Sequence, residues 1–397
     1  MEKEPISSSH LDFKNTEIAF SQKSDKQLKK MYRLFKLMNK TALVNMTSKL
    51  GLFAVKWNLP FAKMVVRNTI FEQFVGGENL LDSQQSIDEL YKSDVLTILD
   101  YGAEGKSEEE DLNRTAQEFI KAVEFAAANE SVPCTVAKIT GLVANEILEK
   151  LDAGEELNAA EKSQYDKLVE RLHVICKRAD ELKVGLFLDA EESWIQDTID
   201  HLAEIMMSTY NKDYVVVYNT FQLYRRDKLQ FLKDSHERAK EGGYILGAKL
   251  VRGAYMEKER RRAEEMNYPS PINSTKAATD EMYNEALKYC VEHYETIASC
   301  VASHNEKSIR LQADLMNKKG VEKNHPHFNF CQLYGMSDHF SFNLAANGFN
   351  AAKYVPYGSI SDVVPYLIRR AQENSSVSGE MGRELSIIDK EIQRRGL

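Results

Sequence analysis

Near the C-terminus, Tyr366-Leu367-Ile368-Arg369-Arg370-Ala371-Gln372-Glu373-Asn374 places two adjacent arginines one helical turn before a glutamate. Adjacent residues on a helix diverge by about 100°, so the two guanidinium groups can bracket one small anion. Arg370 and Glu373 share a face, and the glutamate can steady one guanidinium. Guanidinium forks grip carboxylates through paired hydrogen bonds, which suits a ligand carrying a carboxylate. Read alone, an RRxxE is more often a solvated helix end. What sharpens it is a set of polar residues closing short apolar runs upstream: Asp100, Lys138, Asp189, Gln222 just past Asn219, Lys249, His304 with Asn305, and Gln332. One such group from each of several strand ends is what a ligand site between loops requires.

Gly253-Ala254-Tyr255 follows Lys249-Leu250-Val251-Arg252, and small residues there let a flat ligand approach the backbone. His304 and His339 show no HxH, HExxH or carboxylate–histidine spacing, so no metal site is read. GxGxxG after a strand and GxxxxGK[ST] are both absent, so neither a Rossmann dinucleotide site nor a P-loop is indicated.

The elements that must position these residues follow from periodicity. Residues 1 to about 20 are polar and read as loosely held. From Lys26 to about Asn68 the pattern is helical, with Met31, Leu34, Phe35 and Met38 apolar and Pro60 as an interruption. Thereafter β-like runs alternate with helical ones. The candidate strands are Phe71–Val75, Val95–Asp100, Cys134–Ile139, Val184–Asp189, Tyr214–Asn219, Ile245–Val251, Ser299–Ser303 and Phe328–Leu333. They are short and not cleanly alternating, as strands buried on both faces of a parallel sheet are. Between them lie amphipathic helices such as Ala160–Leu182, with Leu168, Leu172, Val174, Ile175 and Ala179 inward. Eight strand–helix units predict an α/β fold, a closed (βα)8 TIM barrel; a doubly wound open sheet is the alternative. The acidic run Glu108-Glu109-Glu110-Asp111 suits a helix N-terminus better than a metal.

The chain has 397 residues, 43% hydrophobic and 28% charged, with a formal net charge of -8, an enzyme-like composition that argues against general nucleic-acid binding. Its five cysteines are scattered without a CxxC, which favours a reducing compartment over a disulfide framework. The start, Met1-Glu2-Lys3-Glu4-Pro5, reads as neither a signal peptide nor a transit peptide, and no apolar run is long enough to span a membrane. A cytoplasmic location is expected.

Several segments together resemble the proline dehydrogenase family of flavin enzymes. They are Gln73-Phe74-Val75-Gly76-Gly77-Glu78, Val136-Ala137-Lys138-Ile139-Thr140, Leu188-Asp189-Ala190-Glu191, Tyr218-Asn219-Thr220-Phe221-Gln222, Lys249 through Tyr255, Ala302-Ser303-His304-Asn305, Gln332-Leu333-Tyr334-Gly335-Met336, and Tyr366 through Asn374. The resemblance covers roughly residues 70 to 376, and implies an N-terminal helical arm over 1–69 and a distorted barrel over 70–397. It also implies a C-terminal helix over the barrel mouth that carries the arginine pair, and FAD at the strand C-terminal ends, where loops and helix N-termini can hold phosphates.

By the same resemblance, Lys138, Arg369 and Arg370 bind the carboxylate of L-proline, while Asp189, Tyr366 and Leu250 line the ring. Glu78 pairs with Arg369 as a gate, its loop expected to be mobile because two glycines precede it at the end of a first strand. Gln222, Lys249, Val251, Gly253, Tyr255, His304 and Gln332 fall at flavin-contacting positions, with Asn305 beside His304 and Glu373 beside Arg370. Thr275 and Lys276 fall near the cofactor's adenosine and pyrophosphate. The implied reaction yields Δ1-pyrroline-5-carboxylate and passes electrons to a membrane quinone, with peripheral contact at the inner face of the membrane.

Two departures stand out. Lys249 occupies a position where many bacterial members carry arginine, so it offers a point charge without the fork. Ser341 stands where many have a ring-lining tyrosine, which opens the choice between proline and 4-hydroxyproline. Besides hydroxyproline oxidation, a barrel lyase forming a Schiff base on Lys138 or Lys249, and a non-catalytic amino-acid-binding relative, are the competing readings.

Overall fold

Strands apolar on both faces must be covered on both, and this chain covers them by closing the sheet and wrapping it in helices. The structure, a computed structural model, describes residues 11–39, 64, 66–102, 105, 107–363, 366–367 and 380–397. The strands are β1 Leu96–Tyr101, β2 Cys134–Ala137, β3 Gly185–Leu188, β4 Val217–Gln222, β5 Leu246–Val251, β6 Ile297–Ala302, β7 Phe328–Leu333 and β8 Ala351–Tyr357. All neighbours pair in parallel, and β8 closes onto β1 in register from Leu96↔Ala352 to Tyr101↔Tyr357. The longer described helices are α1 Asp25–Met38, α2 Leu80–Tyr91, α3 Glu109–Ala127, α4 Asn145–Asp152, α5 Ala159–Leu182, α6 Gln196–Tyr210, α7 Lys228–Gly242, α8 Met256–Glu265, α9 Lys276–Glu292, α10 Glu306–Lys319, α11 Asp338–Ala346 and α12 Glu380–Arg395.

Along each strand, side chains alternate between two cores. Ile98, Val136, Phe187, Tyr218, Cys300 and Cys331 fill the barrel interior. Leu99, Leu186, Phe221, Leu250 and Val301 belong to the large layer between strands and helices. The expected helix at 160–182 is present. Asn158 accepts from Ala160 N and Glu161 N, and Glu161 completes the capping box. Leu168, Leu172, Ile175 and Ala179 are buried in it, whereas Val174, one step off the stripe, is 49% exposed. The acidic run does start a helix: Glu109, Glu110 and Asp111 form the first turn of α3, and Glu109 pairs with Arg171 and Lys167.

Two strand expectations need correction. Phe71–Val75 is not a strand. Arg67–Phe71 is π-helical and Glu72–Phe74 α-helical. Phe71, Phe74 and Val75 are spaced i, i+3, i+4, a helical stripe that packs with Phe20, Phe35 and Met336 in a satellite core. The eighth strand is instead Ala351–Tyr357, whose alanines, Lys353 and Pro356 disguise it. The same satellite core joins α1, Tyr366, Leu367 and Ile388 of α12, so chain segments from both ends pack together there. Arg395 of α12 donates to the carbonyls of Phe20 and Lys23 and pairs with Asp25. No described helix is long and apolar enough to cross a membrane.

Candidate functional site

The C-terminal ends of β1, β2, β3, β5 and β8 bring a closed polar network to the barrel mouth. Lys138 Nζ donates to Asp100 and lies 3.8 Å from Asp189 Oδ2. Lys249 Nζ donates to Asp189 Oδ1 at 2.5 Å, and the Tyr354 hydroxyl donates to Asp189 Oδ2 at 2.7 Å. The Lys249 ammonium also sits 4.6 Å from the Tyr354 ring centroid and 5.3 Å from that of Phe187. Lys138, Lys249 and Asp100 are all buried. Burial pushes the Asp189 carboxyl up, but Lys249 and Lys138 outweigh it and hold the group below the ordinary carboxylate range. Asp100 goes the other way: burial, reinforced by the Asp189 charge, prevails over Lys138 and raises it. Burial also holds the Tyr354 phenol well above its ordinary value, so it remains a donor.

Two lysines facing two carboxylates leave this network without net charge when all four are ionised. It therefore supplies little net pull on an anion. A proton on Asp100 would free Lys138 and make the cluster cationic. Tyr354 was missed in the sequence because β8 itself was missed.

A second layer ties three of the motifs together. The Glu191 carboxylate accepts from Thr140 N at 3.1 Å and from its hydroxyl, and Glu191 N donates to Gln196. Gln222 Nε2 donates to Glu191 O at 2.9 Å, while Gln222 Oε1 is buried with no hydrogen-bond partner. A buried, unpaired acceptor costs free energy unless a donor meets it.

Other expected residues divide. Gln332 Nε2 donates to Ser303 O at 3.1 Å. Val251 closes β5, and Tyr255 immediately precedes α8. Thr275 caps the N-terminus of α9, accepting from Ala278 N, and Lys276 pairs with Asp280 on the surface. Asn305 caps α10, accepting from Lys307 N and Ser308 N. His304 Nδ1 lies 2.8 Å from the Ser337 hydroxyl. Tyr366 is buried in the satellite core. Arg369, Arg370 and Glu373 lie outside the described residues.

Four expectations change. Leu250 is the outward neighbour of the inward Lys249 and packs in the strand–helix layer, so strand alternation denies it a place on the ring. Ser341 is fully buried in α11, and its hydroxyl donates to Gln332 Oε1 at 2.8 Å, so it sits behind the site and supports that glutamine. Ser341→Tyr is accordingly an overpacking change. It should cost about 1–3 kcal/mol of stability and lower turnover of proline and 4-hydroxyproline by the same factor. Steady-state kinetics with both substrates check this; a selective loss of hydroxyproline turnover contradicts it.

Gly253 has φ +132°, and an added Cβ would meet the Tyr224 ring at 2.4 Å, so a tyrosine of this chain makes the close approach there. Gly76 and Gly77, too, serve contact: Cβ atoms there would meet Val355 at 2.5 Å and the Ser83 amide at 2.6 Å. Gly77 bridges Tyr357 beside β8, and the Glu78 carboxylate pairs with Arg67 among the described residues.

One cluster escaped the sequence reading. Glu384 of α12 is buried, and its Oε1 accepts from both Ser337 N and Ser337 Oγ at 3.0 Å. Burial, with Asp338 nearby, pushes this carboxyl up to about 7 against Lys353 and the Ser337 hydrogen bonds. The ionisable groups around it are Asp338 and His339 of α11, Lys353 of β8 and Arg383 of its own helix. Burial drives His339 down to about 3, so that ring stays neutral. An acid raised by folding stabilises fully below its unfolded value, and the contribution is lost as pH rises through the folded one. Glu384→Gln, which cannot ionise, should therefore melt near wild type at about pH 5 and clearly above it at about pH 8. Melting curves at both pH values decide it, and a gap that fails to widen contradicts it. No group of three or more His, Cys, Asp or Glu among the described residues is placed to hold a metal ion.

The sequence profile described as proline dehydrogenase matches residues 83–383. The carbapenem antibiotics biosynthesis protein CarD of Pectobacterium carotovorum subsp. carotovorum is 31% identical over 350 residues, 88% of this chain and 91% of that one. Proline dehydrogenase 2, mitochondrial, of Arabidopsis thaliana is 31% identical over 83% of this chain and 79% of its own. Proline dehydrogenase 1, mitochondrial, of Homo sapiens is 39% identical over 238 residues, 59% of this chain and 40% of the human one. Among solved structures, proline utilization A of Bdellovibrio bacteriovorus inactivated by N-propargylglycine superposes with a TM-score of 0.72 at 20% identity, which speaks for the fold; it covers 96% of this chain and 40% of that one.

Proposed function

Because the chain belongs to the proline dehydrogenase family, we propose that its barrel mouth binds L-proline against FAD and oxidises it to Δ1-pyrroline-5-carboxylate, the electrons leaving to a quinone. The observation that carries this reading is the Asp100–Lys138–Asp189–Lys249–Tyr354 network at the strand ends, beside the unpaired Gln222 oxygen. The site fits a flavin. A buried acceptor without a donor suits a ring N–H, and the mouth offers amide and ammonium groups from several strands. Gln222, Lys249, Val251, Tyr255, His304 and Gln332 would hold it, with Gly253 leaving room for Tyr224 beneath, and Thr275, Lys276 and Asn305 at helix starts near the phosphates. When bound, the flavin supplies the acceptor for the hydride released from the ring carbon beside nitrogen.

The chain's own residues bind and orient. Lys138 can exchange Asp100 for the substrate carboxylate within a short reach. Because the network is charge-balanced, Arg369 and Arg370 are the groups that must meet the carboxylate's charge, with Glu373 steadying Arg370. Glu78 is the proposed partner of Arg369 over the bound ligand, exchanging from Arg67. Tyr354, anchored on Asp189, takes the ring-lining place that the sequence had suggested for Ser341, and Tyr366 closes the far side. Lys249 donates to Asp189 and stays fixed over the aromatic rings of Tyr354 and Phe187. Exclusion of water from the mouth would then help to fix the reacting carbon.

Of the competing readings, a Schiff-base lyase needs a neutral lysine lone pair, and both lysine amines here are engaged by carboxylates. Hydroxyproline oxidation was suggested by Ser341, and the Ser341 hydroxyl donates to Gln332, which supports the proline reading instead. The purified protein should show a flavin absorption band that bleaches on anaerobic addition of proline. A colourless protein, or a band that proline leaves unchanged, overturns the proposal.

A further inference from the structure

We propose that Glu384, on the C-terminal helix α12, is a positioning residue that fixes the His304 imidazole in one tautomer through the Ser337 hydroxyl and thereby tightens the hold on bound flavin. The inference rests on the reading of His304 as a flavin contact. Glu384 is neither in the family-like motifs quoted above nor beside them in sequence, and only folding brings it to the end of β6.

The argument is a count of protons. Ser337 has one hydroxyl proton, and its Oγ lies 3.0 Å from Glu384 Oε1 and 2.8 Å from His304 Nδ1. The Ser337 N–H donates to the same glutamate oxygen, also at 3.0 Å. With the hydroxyl proton directed at the carboxyl oxygen, Ser337 Oγ can only accept from His304, so Nδ1 carries the imidazole proton and Nε2 is the acceptor. Among the described residues, the Leu333 N–H, a donor, lies 3.5 Å from Nε2, which agrees with this tautomer.

The geometry is held from two further points. Ser337 has φ +53°, a left-handed backbone that a non-glycine residue keeps only when its neighbours enforce it, and both Glu384 hydrogen bonds do so. The residue before Glu384 acts on the same histidine: Arg383 Nη1 donates to His304 O at 3.4 Å. Consecutive residues of α12 thus address the ring and the backbone of His304. The helix itself is anchored elsewhere. Glu391 binds Arg394 and Arg395, and Arg395 reaches the Phe20 and Lys23 carbonyls. Removing the Glu384 side chain should therefore leave α12 in place.

The experiment follows flavin release from the holoenzyme after dilution, by the rise in flavin fluorescence, for Glu384→Ala, Glu384→Gln, His304→Ala and the double variant Glu384→Ala/His304→Ala. The nitrogen chemical shifts of His304 are recorded in parallel. Glu384→Ala is expected to release flavin about tenfold faster, the loss of one well-placed hydrogen-bond chain, and to shift His304 toward a tautomer mixture. Glu384→Gln should behave as wild type, because its amide oxygen still accepts from both Ser337 donors. In the His304→Ala background, Glu384→Ala should add nothing.

An equal acceleration in that background shows that Glu384 acts on packing alone and overturns the inference. So does a Gln variant that behaves like Ala. If His304→Ala leaves release unchanged, it is the flavin contact of His304 that fails. The tautomer then decides the relay by itself, and an unaltered tautomer in Glu384→Ala overturns it.

Discussion

Asp189→Ala should unfold more easily by about 3–5 kcal/mol and lose at least about 100-fold in kcat/KM for proline. Asp189 accepts from Lys249 at 2.5 Å and from Tyr354 at 2.7 Å and lies within 3.8 Å of Lys138, so its removal leaves a buried ammonium and a buried phenol without their acceptor. Breaking one side of a buried pair costs more than the pair contributes, because the remaining charge stays desolvated. Asp189→Asn keeps an oxygen for Tyr354 but not the charge for Lys249, so it should fall between Ala and wild type in stability.

The pH dependence has a definite sign. The folded-state carboxyl lies below its ordinary range, since the two lysines outweigh burial. Its stabilisation is present above its unfolded value, about pH 4, and is lost as pH falls through the lower folded value. Denaturant titration at neutral and acid pH, with steady-state kinetics, measures all of this. Near-wild-type kcat/KM in Asp189→Ala would remove Asp189 from the site.

Arg370→Met should lower kcat/KM for proline by about 30- to 1000-fold, or about 2–4 kcal/mol, while flavin stays bound. On the proposed reading, the described network is neutral when its four charged groups are ionised, and Arg369 and Arg370 supply the charge that meets the carboxylate. A variant that keeps kcat/KM and flavin alike would show that the carboxylate is met elsewhere. Loss of flavin along with activity would assign Arg370 to the cofactor instead. Flavin content by absorbance and kinetics in the same preparations separate these outcomes.

Lys138, Asp189, Lys249 and Gln222 were legible in the sequence because each is a polar residue ending a short apolar run, and a barrel gathers strand ends at one mouth. Seven of the eight strands were legible for the same reason of burial on both faces. Phe71–Val75 misled because a run of aromatic and β-branched residues looks alike in a strand and on a helical stripe, and only its neighbours Phe20 and Phe35 settle which face is covered. Ala351–Tyr357 was hidden by its Lys353, which reads as a surface residue. In the barrel it is fully buried, with its ammonium on the Met336 carbonyl and on Asp338. With β8 unseen, Tyr354 was unseen.

Local composition and order along the chain by themselves determined the barrel class, the family and the residues at most strand ends, because periodicity and short motifs are properties of consecutive residues. What only the tertiary structure decided were the directions and partners of side chains. Leu250 turns outward because Lys249 turns inward, Ser341 gives its hydroxyl to Gln332, and the glycines before Glu78 admit Val355 and the backbone at Ser83. Glu384 meets Ser337 across 47 residues of chain, and Ser337 in turn meets His304, contacts set by how α12 packs on the closed barrel. Such partners carry no local signature, since the free energy that selects them is the burial and hydrogen bonding of the assembled core.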